Sequence, residues 1–182
     1  MKNKYNSPIL KSLNFFVENP YENIHLREFA RRLNISVNSA QRFLNLFLHQ
    51  NFIKEERKAN LRYFRANLDS IVFRYIKITF SLKLIENSGL ISSFKEICSH
   101  LILFGSVAQG RDDKNSDIDI IVIAKDKETI KRIIPKIQKK ISREINFQIF
   151  TTTEWRAQKD KNKAFYQEII ITGINLIGEI PI

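Results

Sequence analysis

The chain has 182 residues, of which 43% are hydrophobic and 27% charged. That balance suits one mid-sized domain or two small ones and excludes wholesale disorder. No apolar run reaches the length of a membrane span, and the start Met1-Lys2-Asn3-Lys4 lacks the apolar core of a signal peptide, so a soluble cytoplasmic protein with no membrane partner is expected. Cys98 is the single cysteine, and His25, His49 and His100 are scattered, so neither an internal disulfide nor a zinc-site spacing is expected.

Thirty Lys and Arg stand against nineteen Asp and Glu, a net charge of +11. Residues 1–67 hold twelve basic and five acidic side chains, a net of +7, while residues 100–182 hold fourteen and eleven, a net of +3. A small, strongly basic front end is the electrostatic footprint of a polyanion partner, the plainer alternative being a lysine-rich solvated surface.

In chain order, Ser7 and Pro8 suit the N-cap and first position of a helix whose apolar face is Ile9, Leu10, Leu13, Phe16 and Val17, ending at Asn19-Pro20. Leu26, Phe29, Ala30 and Leu33 follow at i, i+3, i+4 and i+7 and predict a second helix. Asn34-Ile35-Ser36 predicts a tight turn, with Ser36 capping a third helix that carries Ala40, Phe43, Leu44 and Phe47 and stops near Asn51. Residues 52–57 and 61–65, separated by Lys58-Ala59-Asn60, predict a hairpin.

Three helices and a hairpin resemble a winged helix-turn-helix domain, here spanning residues 1–67. The resemblance implies contact with double-stranded DNA through Asn38, Ser39, Gln41, Arg42 and Asn45 of the third helix, side-chain types that can hydrogen-bond base edges. Arg57, Lys58, Asn60 and Arg62 on the hairpin would reach phosphates or the minor groove. The alternative is a winged helix used for protein contacts alone, with these side chains solvated.

Residues 68–88 predict a helical linker. Ile71, Tyr75, Ile78, Leu82 and Ile85 keep a helical seam while Val72, Phe73, Ile76, Phe80 and Leu84 fill the other sides. A helix apolar all round is expected to be buried, between the modules or against a second copy of the chain as a homodimer interface.

From residue 101 the pattern changes. Leu101-Ile102-Leu103-Phe104 reads as a buried strand that breaks at Gly105-Ser106, and Asp117-Ile118-Asp119 opens a second apolar run, Ile120 to Ile123. Alternation along a strand would place Asp117 and Asp119 on one face, about 7 Å apart. Two carboxylates there repel and lose hydration unless a cation compensates, and hard oxygen ligands suit Mg²⁺ accompanied by substrate phosphates. The glycine allows close backbone approach, and the Ser106 hydroxyl and neighbouring N–H groups can hold phosphate oxygens, with Arg111 adding a phosphate contact and Ser116 orienting the acidic strand.

Leu103 to Arg111, read Leu-Phe-Gly-Ser-Val-Ala-Gln-Gly-Arg, followed by Ser116-Asp117-Ile118-Asp119-Ile120, resembles the signature of the minimal nucleotidyltransferases, small members of the DNA polymerase β superfamily. Beyond the motif, Ile130, Ile133, Ile134, Ile137 and Ile141 give an amphipathic helix, Ile145 to Phe150 a strand, and Phe165 to Gly178 a helix, turn and strand in keeping with that family. The expected fold class is therefore α/β (α+β): an N-terminal winged helix-turn-helix, a helical linker, and over residues 89–182 a nucleotidyltransferase-like mixed sheet flanked by helices.

The resemblance implies a nucleoside triphosphate held through Mg²⁺, two ions in all, with Asp117 and Asp119 as catalytic metal ligands and Gly105, Ser106, Arg111 and Ser116 binding the nucleotide. It also implies a third carboxylate from a neighbouring strand, yet that strand here offers Asn146 and Gln148 on the matching face, and an amide cannot act as a general base. Glu144 would substitute only if the register slipped. Some relatives work in toxin–antitoxin pairs, so a small helical partner protein is a further expectation. The competing expectation is a DNA-binding transcriptional regulator or antitoxin whose second domain is catalytically degenerate and senses nucleotide or docks a partner. Trp155 and Tyr166 are expected to pack in the core.

Overall fold

Pro8 opens helix α1 (Pro8–Glu18), with Ser7 extended before it, and its inner face is Phe15, Phe16 and Val17. The computed structural model describes residues 7–181, so the reading of the Met1–Lys4 start lies outside them. Strand β1 (Ile24–His25) leads into α2 (Leu26–Leu33), which ends where Asn34 takes the left-handed conformation at φ +53°. Helix α3 (Val37–His49) begins at Ser36, whose Oγ accepts from the Ser39 N–H at 3.1 Å. That contact satisfies one of the orphan donors of the first turn. Strands β2 (Ile53–Lys58) and β3 (Leu61–Ala66) pair antiparallel, and β1 adds to β3, giving the order β1-β3-β2. The core of this part is aromatic: Phe16, Phe29, Phe47, Phe64 and Phe73 are all buried.

By its internal contacts the chain divides into two units, residues 1–80 and 81–182. Helix α4 (Ile71–Asn87) crosses that division, giving Phe73 to the first core and Ile85 to the second. Within the first unit Lys77 is fully buried, and its Nζ donates to the Val17 carbonyl at 2.6 Å, near the end of α1 where helix carbonyls lack partners. Within a single copy of the chain, α4 is not buried on all sides. Ile71, Val72 and Tyr75 are 62%, 59% and 65% exposed, because the first half of the helix turns Phe73, Ile76 and Phe80 to the core and leaves these three outward.

In the second unit, α5 (Leu90–Phe94), β4 (His100–Phe104), the single turn α6 (Gly105–Ala108) and β5 (Ile118–Ile123) are followed by α7 (Lys127–Gln138) and β6 (Ile145–Phe150). Helices α8 (Thr152–Lys161) and α9 (Lys163–Thr172) precede the last strand, β7 (Ile174–Ile177). The sheet order is β6-β5-β4-β7, with β4 antiparallel to both neighbours and β5 parallel to β6, so the sheet is mixed. Alternation sorts the two central strands cleanly. Leu101, Leu103, Ile118, Ile120 and Val122 pack with Leu90, Phe94, Ile130 and Ile137 on one face. Ile102, Phe104, Ile121 and Ile123 pack with Trp155, Tyr166 and Ile169 on the other. The whole is the expected mixed sheet flanked by helices, with Trp155 and Tyr166 in the core as expected. Among the described residues, no helix is long and apolar enough to cross a membrane.

Candidate active site

Strand β4 ends at Phe104, which pairs with Asp119 across the antiparallel ladder. The next residue, Gly105, turns the chain at φ +69°, so the turn lies directly against the Asp119 carboxylate. A Cβ built on Gly105 would fall 2.5 Å from Asp119 Oδ2. Both the backbone conformation and the space beside it therefore require glycine. Ser106 is half-buried in the first turn of α6, and its carbonyl accepts the Arg111 N–H at 2.9 Å, folding the following segment back over the turn.

The two acids are not equivalent. Asp119 is the second residue of β5 and half-buried, while Asp117 is exposed and stands one residue ahead of the strand. Burial pushes the Asp119 carboxyl above the ordinary aspartate range, the hydrogen bond from Asn146 opposes this, and the negative charge of Asp117 adds to the rise. Asn146 lies beside Asp119 in the parallel register and donates from Nδ2 to Asp119 Oδ1 at 3.1 Å. The register does not slip: the Ile118 N–H bonds the Glu144 carbonyl at 2.9 Å, and Gln148 stands beside Ile121. A neutral amide, Asn146, thus stands beside Asp119 on this side. Asp117 and Asp119 are hard oxygen donors that could hold a divalent cation, with remaining ligands drawn from substrate and water. Among the described residues, no group of three or more His, Cys, Asp or Glu side chains is arranged to hold a metal.

The segment between turn and strand is tightly built. Gly110 has φ +65°, Arg111 is exposed, and Asp113 Oδ1 accepts from the N–H groups of Asn115 and Ser116 at 2.8 and 3.0 Å and from the Ser116 hydroxyl at 3.1 Å. Ser116 therefore engages its hydroxyl within this loop. Burial alone would raise the Asp113 carboxyl, but these donors and the charge of Arg143 outweigh it and hold the group low. Behind the loop, Arg143 donates from Nε to the Ser116 carbonyl and from Nη1 to Asp112 Oδ2, both at 2.8 Å. Neither Arg143 nor Asp112 emerges from sequence reasoning, because 31 residues separate them and neither belongs to a periodic pattern.

In the first unit, Asn38, Gln41, Arg42 and Asn45 follow helical spacing along α3, opposite its buried Ala40, Phe43, Leu44 and Phe47. Gln41 donates to Asn45 at 2.8 Å, and the Arg42 guanidinium lies 5.4 Å from the centre of the Phe43 ring. Ser39 is held by the Ser36 cap. On the hairpin, Arg57 and Arg62 both pair with Glu55, and Lys58 lies 3.6 Å from Glu56, while Asn60 is exposed in the turn.

No curated protein matches the chain. Among solved structures, a toxin–antitoxin with AMP-PNP aligns at 20% identity over 56% of this chain and 73% of that one, with a TM-score of 0.31. A mutant of the toxin–antitoxin MntA-HpeT aligns at 19% identity over 56% and 73%, with a TM-score of 0.33. Residues 89–179 match the family model of polymerase β nucleotidyltransferases, and they include the glycine turn, both acids and the sheet that carries them. The chain belongs to the polymerase β nucleotidyltransferase family.

Proposed function

We propose that the second unit binds a nucleoside triphosphate as its Mg²⁺ complex and transfers the nucleotidyl group to an acceptor hydroxyl. The acceptor oxygen attacks the α-phosphorus, the bond from that phosphorus to the bridging oxygen breaks, pyrophosphate leaves, and the acceptor proton passes to solvent. The observation that carries this reading is the placement of Asp119 against a glycine turn that has room for no side chain. A phosphate tail can approach such a turn while a carboxylate faces it. Gly105 and Ser106 would hold the leaving phosphates, Arg111 would add a contact from the loop, and Ser116 would keep that loop in shape. Mg²⁺ fits the site in one respect that the apo chain exhibits: a half-buried acid raised by burial and by a like-charged neighbour is relieved by a cation. Asp117 and Asp119 would hold the ions, and when bound these supply charge neutralisation to the attacking and departing oxygens. Asn146 fixes the Asp119 carboxylate but cannot take a proton.

The first unit we read as a winged helix-turn-helix that binds double-stranded DNA, with Asn38, Ser39, Gln41, Arg42 and Asn45 facing bases and Arg57, Lys58 and Arg62 the backbone. The exposed Ile71, Val72 and Tyr75 support pairing of two copies on paired half-sites. A toxin–antitoxin pairing, with a small helical protein as partner, belongs to the same reading.

One observation favours a second reading. Asn146 occupies the place where the family resemblance calls for a third carboxylate, which fits a DNA-binding regulator or antitoxin with a degenerate transferase domain. A screen of radiolabelled triphosphates with Mg²⁺ and candidate acceptors separates the two. Label transfer by the wild type that is lost when Asp117 and Asp119 are replaced by Asn supports the enzyme. No transfer with any triphosphate, together with specific and salt-dependent promoter binding that ignores those replacements, supports the regulator.

A further inference from the structure

We infer that Arg143 is a positioning residue that sets where Asp117 stands, and through it the affinity of the site for a divalent cation. This rests on the nucleotide-transfer reading given above. Asp117 is exposed and precedes β5, and only its far side is held to β6, where the Ile118 N–H bonds the Glu144 carbonyl at 2.9 Å. The approach to it from the loop is set at the carbonyl one residue earlier. Arg143 Nε donates to the Ser116 oxygen at 2.8 Å, and Nη1 of the same guanidinium donates to Asp112 Oδ2 at 2.8 Å. The planar fork thus ties two points of the 112–116 loop to one rigid group just ahead of β6.

The pair is nearly sealed from water, with the Arg143 and Asp112 side chains 11% and 4% exposed. A buried ion pair is weak evidence for stability, since removing two charges from water can cost more than their attraction returns. Arg143 Nη2 is also buried without a hydrogen-bond partner, which adds to that cost. The arrangement is therefore poor as a stabilising device and well suited to holding the approach to Asp117 in one geometry. On the other side of the loop, Asp113 gathers the N–H groups of Asn115 and Ser116, so the segment is held from two directions. Groups that orient metal ligands without touching the metal typically govern affinity by roughly 10–100-fold.

The test uses the full chain, Mn²⁺ as a paramagnetic stand-in for Mg²⁺, and a non-hydrolysable ATP analogue, with bound Mn²⁺ read by electron paramagnetic resonance. Arg143→Lys keeps the charge but not the two-pronged fork. It is expected to weaken Mn²⁺ binding roughly 10–100-fold, measured at a temperature where circular dichroism shows the metal-free variant folded. In an Asp117→Asn background the same change is expected to have little further effect, since both act through one ligand. Equal Mn²⁺ affinity of wild type and Arg143→Lys overturns the inference, as does an undiminished effect in the Asp117→Asn background. Should Arg143→Lys not fold, Asp112→Glu serves instead: it keeps the counter-charge while displacing the carboxylate that anchors the guanidinium, and unchanged Mn²⁺ affinity in that variant overturns the inference. A wild type that binds no Mn²⁺ with the analogue overturns the nucleotide-transfer reading itself, and this inference with it.

Discussion

The hairpin of the first unit and the acidic strand of the second handle charge in opposite ways. On the hairpin, three basic side chains from the strongly positive front of the chain meet partners within the same two strands: Arg57 and Arg62 at Glu55, Lys58 at Glu56. The Glu55 carboxyl is held low, first by the hydrogen bond from Arg62, although burial opposes it. At the acidic strand, burial and a like-charged neighbour leave Asp119 raised, and the side chain that hydrogen-bonds it among the described residues is a neutral amide. Net charge counted along a sequence treats these regions alike. The structure separates charge that meets an opposite charge from charge that meets only a neutral partner, and the second kind is the better guide to function.

The sharpest test of that contrast is Asp119→Asn, which removes the unanswered charge. Transfer of label from a triphosphate should fall by roughly 10²-fold or more, since charge stabilisation by a bound metal is worth several kcal/mol. A loss below tenfold would place the chemistry elsewhere. Gly105→Ala attacks the same contact from the other side. Its added methyl meets Asp119 Oδ2, and the left-handed φ costs roughly 1–2 kcal/mol, so both nucleotide binding and stability should drop. Isothermal titration with a triphosphate analogue and urea unfolding would report the two effects separately.

Asn146→Asp should act in the reverse sense by supplying the carboxylate that strand β6 lacks. A well-placed base contributes roughly 10²–10⁴-fold, and recovery of about tenfold in transfer rate is expected from this one change. No gain would argue that more than one group separates this site from full activity. For the hairpin, Glu55→Gln frees Arg57 and Arg62. If these face a nucleic acid backbone, duplex affinity should rise and the salt slope steepen by about 1, as read by fluorescence anisotropy. Unchanged binding would remove the hairpin from the interface.

The smallest effect concerns pH. With its carboxyl raised in the folded chain, Asp119 contributes stability that is full below the ordinary aspartate range and is lost as pH rises through the raised value. Without divalent cations, Asp119→Asn should therefore melt above wild type at neutral pH, with the difference closing as pH falls into the ordinary aspartate range. Added Mg²⁺ should raise the melting temperature of the wild type and leave the variant behind.

Where local rules act, the sequence announces the structure. The Ser36 cap, the alternation of β4 and β5, and the glycine turn at the end of β4 follow the sequence, and the amide at position 146 stands beside Asp119 because parallel alternation demands it. Other elements leave fainter marks. Strand β1 is two residues long and shows no alternation. Helix α8 has little amphipathic character, though its start carries a legible sign: Thr151 and Glu154 form a reciprocal capping box. Asp117 falls outside the strand because pairing with β6 begins only at Ile118. The outward Ile71, Val72 and Tyr75 show the limit of composition as a guide, since hydrophobic content alone does not fix which side of a helix finds a neighbour.

Helix α4 has a practical consequence for anyone who would shorten this protein. The family match starts at residue 89, yet Ile85 is fully enclosed among the side chains that cover the sheet of the second unit, and Leu82 and Leu84 pack against the same cluster. A fragment trimmed to the family boundary would open a hole in that interior, and one trimmed at residue 80 would keep these contacts but begin in mid-helix, with its first turn prone to fraying. A severed piece that precipitates or fails to bind nucleotide would therefore report on where the scissors fell.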